Sequence, residues 1–396
     1  MKTFTIILMI AIAFINIYGQ SDTSVVNKAN QLITNKKYNS AFKLLERYDP
    51  KNEKPNIVLL KENIALKYFV TSIMHEMFAF KDLKKNEDIM DYRGKTGSFD
   101  MHLFPIDSVL NKLIKLHPMN CNLYKGLAEY YYQTYLSYGN HWLKNKTELF
   151  NLIKKNDEKV INYNCADYST YYVMGFISLT EKEYKKGTQY FLKSISLNKD
   201  YADSYYNLAY AYLYQNVRDS ALIYAKISLK MYVDINYKSD AARMIGEIYQ
   251  ELGDSLNALK YYKTANQIEP NNYYNLKPLL YICAETNDAN TLNFTKIFFN
   301  LAPDNPTIYN DLADIYCRNS KENQLAEFYI AQLPVFRDSL LITGNLNFYL
   351  AEIYLDSDKK LAKEYFLKAK ELFSKIYDKN NSVFNAIEKG IKQTDE

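Results

Sequence analysis

Glycine and proline are scarce in this chain of 396 residues, which holds only 11 and 9 of them. The punctuation that separates many short strands is therefore missing, and a sandwich or barrel of such strands is excluded. An excess of charge of one sign is missing too. The 49 Lys and Arg stand against 45 Asp and Glu, and doublets such as Lys84–Lys85, Lys154–Lys155 and Lys185–Lys186 are spread along the chain. These are solvated helix faces rather than a basic patch, so nucleic acid is not the expected partner. Long apolar runs are absent after the first twenty residues, and no later stretch has the length of a bilayer span. The four histidines, His75, His102, His117 and His141, make no metal-ligand spacing. Ala79 stands where a zinc-protease helix motif beginning at His75-Glu76 needs its second histidine, so His75 reads as an ordinary helix residue. Gly94-Lys95-Thr96 lacks the first glycine of a phosphate loop, Ile89 being in its place, and no Ser or Cys sits in a nucleophile elbow. The expectation is a non-catalytic chain that needs no cofactor and no metal.

What is present is helical. Leu, Ala, Lys, Glu and Tyr are abundant, and the chain reads as nearly all helix. At the start, Lys2 precedes an apolar run from Phe4 to Ile17, and Ile17-Tyr18-Gly19 places a small residue where a secretory signal is cut. Gln20 is the expected first residue of an exported, periplasmic or secreted, chain. No Cys lies near the cut, so a lipid anchor there is not expected.

Self-similarity organises the rest. Tyr171-Tyr172-Val173-Met174-Gly175 through Ser194 aligns without a gap on Tyr205-Tyr206-Asn207-Leu208-Ala209 through Ser228, a step of 34 residues. From Gly175 the next small residue is Gly187, from Ala209 it is Ala221, and from Gly246 it is Ala258, each 12 positions on. Two antiparallel helices approach closely where small residues face each other at their crossing, with larger ones in the grooves beside it. Ile245-Gly246-Glu247-Ile248-Tyr249, then Gly253-Asp254-Ser255-Leu256-Asn257-Ala258, then Tyr262, Ala265 and Pro270 complete one unit. Gly253 ends its first helix, Asp254 or Ser255 caps its second, and Pro270 closes it. This unit resembles a tetratricopeptide repeat. The resemblance implies an all-α fold, a right-handed α-solenoid of antiparallel helix pairs with a C-terminal capping helix.

The phase marks Gly175, Ala209, Gly246, Leu279, Ala313 and Ala351 extend the pattern. Pro278 beside Leu279 suggests that this first helix starts near the proline. Residues 51–120 fit the repeat poorly: Asn56 to Phe80 reads as one long apolar helix, and a polar, Gly-containing loop follows to Asp100. The expected organisation is a signal peptide (1–19), a degenerate repeat (20–50), a helical insert (51–120) with a flexible loop (81–100), a degenerate repeat with an insertion (121–164), six repeats (165–380), and a capping helix and tail (381–396). Val383, Phe384, Ile387 and Ile391 give that last helix one apolar face.

In arrays of this family the first helix of each pair lines the binding surface. Three residues back and one forward from Gly175, Ala209, Gly246 and Ala313 select Tyr172, Phe176, Tyr206, Tyr210, Arg243, Glu247, Asn310 and Asp314, and the same stripe adds Asn207 and Tyr214. The 39 tyrosines are mostly packing, and only those on this stripe are candidates for recognition. The function implied is a scaffold that binds a protein or peptide in its groove, with no nucleic acid, no small-molecule cofactor and membrane contact only through an envelope partner. The alternatives are a glycan-binding envelope protein of the SusD type, which this chain lacks the lipobox cysteine and large irregular domain to match, and an enzyme with no recognisable motif. Among the cysteines, Cys283 and Cys317 occupy the same place on neighbouring first helices, whose axes lie about 8–10 Å apart, beyond the roughly 7 Å that a disulfide spans. Cys121 and Cys165 lie just before first helices and are the pair able to bridge.

Cleavage after Gly19 predicts that the abundant species in cells begins at or near Gln20. Intact-mass spectrometry of the purified protein decides this, and Met1 on the abundant form contradicts export through a cleaved signal.

Overall fold

The computed structural model describes residues 21–395 apart from 96 and 98, so the expected leader and Gln20 lie outside the described residues. Two compact units divide between Lys199 and Asp200. The first holds α1 (Asp22–Thr34), α2 (Tyr38–Tyr48), α3 (Pro55–Lys67), β1 (Phe69–Ile73), β2 (Met77–Phe80), β3 (Met101–Leu103), α4 (Ile106–Leu116), α5 (Cys121–Tyr138), α6 (Lys146–Asn162), α7 (Tyr168–Thr180) and α8 (Tyr184–Leu197). The second holds α9 (Ala202–Leu213), α10 (Arg218–Met231), α11 (Ile235–Glu251), α12 (Ser255–Ile268), α13 (Tyr273–Thr286), α14 (Thr291–Phe299), α15 (Pro306–Arg318), α16 (Glu322–Gln332), α17 (Leu340–Tyr354), α18 (Lys359–Phe373) and α19 (Ser382–Asp395). The class is an all-α solenoid of antiparallel helix pairs, with one small sheet in the first unit.

Helix starts follow from side-chain oxygens that accept the free N–H groups of a first turn. Asp167 accepts from Ser169 and Thr170, Asp254 from Asn257, and Asn145 with Glu148 closes a capping box. Within a pair, the first helix supplies a glycine beneath an aromatic ring of the second. A Cβ at Gly175 would lie 2.7 Å from the Phe191 ring, and one at Gly246 would lie 2.7 Å from the Tyr262 ring. The second-helix partner of the first crossing is less crowded, since a Cβ at Gly187 would be in ordinary contact 3.4 Å from the Gly175 carbonyl. Alanine stands at the matching places, Ala221 and Ala258, both fully buried. At the end of the chain α19 covers α18, burying Ile387 with Phe366 and Phe373.

Two expectations are corrected here. The helix expected from Asn56 to Phe80 stops at Lys67, where Phe69-Val70-Thr71-Ser72-Ile73, aromatic and β-branched, forms a strand instead. The three strands are antiparallel in the order β1-β2-β3. His75 is therefore not a helix residue. Met74 and His75, with φ of 51° and 54°, are the central residues of a turn closed by the Glu76 N–H on the Ile73 carbonyl, a backbone conformation uncommon for such side chains. Their surroundings hold it: Trp142 donates to the Met74 carbonyl at 2.7 Å, and the His75 ring lies 3.1 Å from Ser72 Oγ and 3.3 Å from Ser137 Oγ. Burial, and then Arg93, lowers the His75 imidazole to about 4. The segment after β2 is anchored rather than loose. Leu83 N–H bonds the Lys36 carbonyl, Ser40 donates to Asp82, Lys36 reaches the Glu87 carbonyl, and Gly94 N–H bonds Val70. The other correction concerns α13, which begins at Tyr273 with Pro278 in its interior. Asn272 caps it, and the buried Asn275 amide ties its first turn to Ser239 and to the Ala265 and Glu269 carbonyls.

Cys121 and Cys165 form a disulfide with Cα atoms 6.4 Å apart, while Cys283 and Cys317 are thiols. The bond ties the starts of the α5–α6 and α7–α8 pairs. In the same unit the Glu62 carboxyl of α3 is buried over Gly126, and its Oε1 has no hydrogen-bond partner. Burial, with Glu129 adding repulsion, raises Glu62 to about 8.

A carboxyl held above its ordinary 4.5 keeps a proton that the unfolded chain releases, so its contribution to stability is complete below about 4.5 and is lost as pH rises through about 8. Glu62→Gln should therefore gain on the natural chain between pH 5 and pH 9, by about 3–5 kcal/mol at the alkaline end. Guanidinium unfolding at pH 5, 7 and 9 measures it, and parallel pH profiles for the two proteins would show that Glu62 is not a buried acid.

Candidate functional site

The expected stripe falls on both units. In the first, Tyr172 packs on Phe191 with ring centroids 6.0 Å apart, and Phe176 meets Tyr132 edge-on at 5.7 Å. Both belong to the packing around that unit's core.

In the second unit the stripe begins with a half-buried aromatic cluster. Tyr206 is edge-on to Tyr210 at 5.2 Å and to Tyr232 at 6.0 Å, and Tyr232 donates to Asp203 Oδ1 at 2.6 Å. Tyr214, 58% exposed, stacks on Tyr210 at 6.2 Å, and Asn207 donates to the Asp203 carbonyl. Burial raises both the Tyr206 and Tyr210 hydroxyls. Near the middle of α11, Arg243 donates to Asp240 at 2.7 Å and to Glu247 at 3.0 Å. Glu247 is pushed up by burial against the pull of Arg243. Tyr206 and Tyr210 lean on the core formed by Ala209, Ala221, Met244 and Ile248, so their first duty is structural.

Open surface lies further along. A pocket of about 510 Å³ is lined by Glu247 and Gln250 of α11, Tyr273, Tyr274, Lys277, Pro278 and Tyr281 of α13, and Asp314, Ile315 and Arg318 of α15. It is made entirely by first helices of three successive pairs. The Tyr274 side chain is 68% exposed. Charges here come in pairs: Lys277 with Asp311 at 2.6 Å, Arg318 with Asp314 at 2.7 Å, and Glu247 with Arg243. Tyr273 also donates to Asp311, at 2.6 Å. Pro278 lacks the N–H that would close its helical turn on the Tyr274 carbonyl. Of the expected residues, Glu247 and Asp314 reach this pocket. Asn310 is exposed and accepts from the Tyr349 hydroxyl at 2.9 Å.

The α13 contribution lies outside the expected stripe, which is stepped from Gly175, Ala209, Gly246 and Ala313 and takes nothing from the pair marked at Leu279. Leu276, Leu279, Leu280 and Cys283 are all fully buried, which places the open face of α13 on Tyr274, Lys277 and Tyr281. Applied at Leu280, the same stepping selects Lys277 and Tyr281. The readable signal was the spacing of three and four among those residues.

Fold and face together define a helical-repeat scaffold. The chain carries tetratricopeptide repeats: the family described as Tetratricopeptide repeat matches residues 168–201 and 244–272. Repeats of this family are in general non-catalytic, and they bind proteins or peptides. No curated protein matches the sequence. Among solved structures, the chain is similar to a tetratricopeptide repeat protein from Parabacteroides merdae, with 14% identity over 69% of this chain and 99% of that one and a TM-score of 0.42. It is similar to pilF of Pseudomonas aeruginosa at 11% identity, 59% and 99% coverage and a TM-score of 0.42, and to MamA at 23% identity, 41% and 86% coverage and a TM-score of 0.35.

The two groups of tyrosines should separate on substitution. Tyr206→Ala empties a packed site and should cost about 2–4 kcal/mol, whereas Tyr274→Ala should stay within about 0.5 kcal/mol of the natural chain. Equilibrium denaturation followed by helical circular dichroism compares them, and equal costs would contradict the division.

Proposed function

We propose that this chain is an exported scaffold that holds a segment of a partner protein against the first-helix face of its second unit, in the pocket between α11, α13 and α15. The observation that carries the reading is the exposed Tyr274 ring set among side chains whose charges are already neutralised in pairs. Paired charges of this kind orient the polar backbone of a ligand, and they leave no unpaired acid or base poised for proton transfer. Tyr273, Tyr274 and Tyr281 supply broad contact area at low entropic cost, since each ring has only two torsions to fix. Export is supported by the amino-terminal pattern around Lys2 and Gly19 and by the Cys121–Cys165 disulfide, a bond that persists in oxidising compartments.

A photo-crosslinking residue placed at Tyr274 in the full chain, in cells, should yield a discrete protein adduct that is absent when the same residue is placed at Gln267 on α12. A synthetic peptide from the adducted region should then bind the purified chain, roughly tenfold or more weakly to Tyr274→Ala at unchanged melting temperature. Adducts common to both positions, or a peptide indifferent to Tyr274→Ala, would reject this face as the binding site.

A further inference from the structure

A second cavity of about 680 Å³ lies in the second unit, away from the residues of the first-helix pocket. It opens between the second helices α14 and α16, within the roughly 300–1,000 Å³ that ligand sites occupy. Its floor is aromatic: Tyr316 and Phe328 are 2% and 5% exposed. The Tyr316 hydroxyl is engaged by Thr295 at 2.6 Å, so the floor presents ring rather than hydroxyl. Leu292 stands at the rim, 62% exposed.

The informative residue is Gln332, at the end of α16. It is only 8% exposed and lines the cavity, and its side-chain amide makes no hydrogen bond among the described residues. Its backbone carbonyl is occupied by Val335 and Phe336, which fixes the residue in place. The amide is open to the cavity, where a ligand can meet it. A glutamine amide offers one acceptor and two donors in a single plane. The groups that answer both at once are the N–H and the C=O of one residue in an extended peptide, which point the same way. Lys296 and Glu327 flank the opening, and neither forms an ion pair among the described residues, so charge of either sign is available to a ligand's ends.

We propose that this cavity is a second binding site, one that takes a short extended peptide segment, with the N–H and C=O of one residue of that segment on the Gln332 side-chain amide and an apolar side chain between Leu292, Tyr316 and Phe328. This site is separate from the first-helix pocket and does not depend on its reading. A chain with both sites would hold two segments of one partner, or one segment from each of two.

The test uses the full chain labelled at leucine and alanine methyl groups and titrated with the capped tripeptide N-acetyl-Ala-Leu-Ala-amide. Methyl signals of Leu292 and Ala331 should shift with saturation. The analogue with leucic acid in place of leucine, in which an ester oxygen replaces the central N–H, should bind roughly tenfold more weakly, and Gln332→Met should weaken the peptide to a similar degree and remove the difference between the two ligands. Tyr274→Ala should leave this titration unchanged, which separates it from the first-helix site. Should Gln332→Met fail to fold, Leu292→Asp, at an exposed position, must abolish the shifts. The proposal is overturned by equal affinity for peptide and ester, by a folded Gln332→Met or Leu292→Asp that binds normally, or by shifts that vanish in Tyr274→Ala.

Discussion

A helix pair in this chain closes around a missing side chain. At Gly175 and Gly246 the ring of Phe191 or Tyr262 occupies the place a Cβ would take, so the second helix rests almost on the backbone of the first. The close approach buries aromatic surface on both sides of the crossing. The first-helix side chains around the pocket differ from pair to pair: Glu247 on α11, Lys277 and Tyr281 on α13, Asp314 and Arg318 on α15.

Tyrosine serves both sides of that division. Tyr262 and Tyr316 are buried with their hydroxyls bonded to Gln250 and Thr295, whereas Tyr274 stands open beside them in sequence class but not in environment. Composition cannot separate the two uses, because the ring is apolar enough for a core and its hydroxyl polar enough for a surface. Geometry separates them, through the phase of each helix against its partner.

That phase was legible wherever a small residue marked the crossing. Gly175, Ala209 and Gly246 repeat on a helical period, and the caps at Asp167 and Asp254 are readable as isolated letters. It became unreadable at α13, where Leu276, Leu279, Leu280 and Cys283 fill four buried positions and no glycine says which of them faces the crossing. The stretch from Phe69 to Phe80 failed for another reason. Its apolar run is as consistent with a helix as with a hairpin, and the features that decide are distant in sequence: Trp142 and Ser137 hold the turn at Met74 and His75. The second-helix cavity was invisible for the same cause, since Gln332 is one amide among many until the neighbours around it are known.

The Cys121–Cys165 bond carries a mechanical consequence. Force applied along a helical repeat array peels its pairs away one after another, because each pair contacts only its neighbours. Here the bridge bypasses α5 and α6, a sequence separation of 44 residues, and tension entering at one cysteine leaves at the other without loading the helices between. Roughly 150 Å of extended chain is thereby withheld from stretching. An oxidised molecule pulled by its ends yields its other pairs at their own limits and stops short by that length. A reduced one gives it up, so the thiol state of two residues sets how far the chain extends.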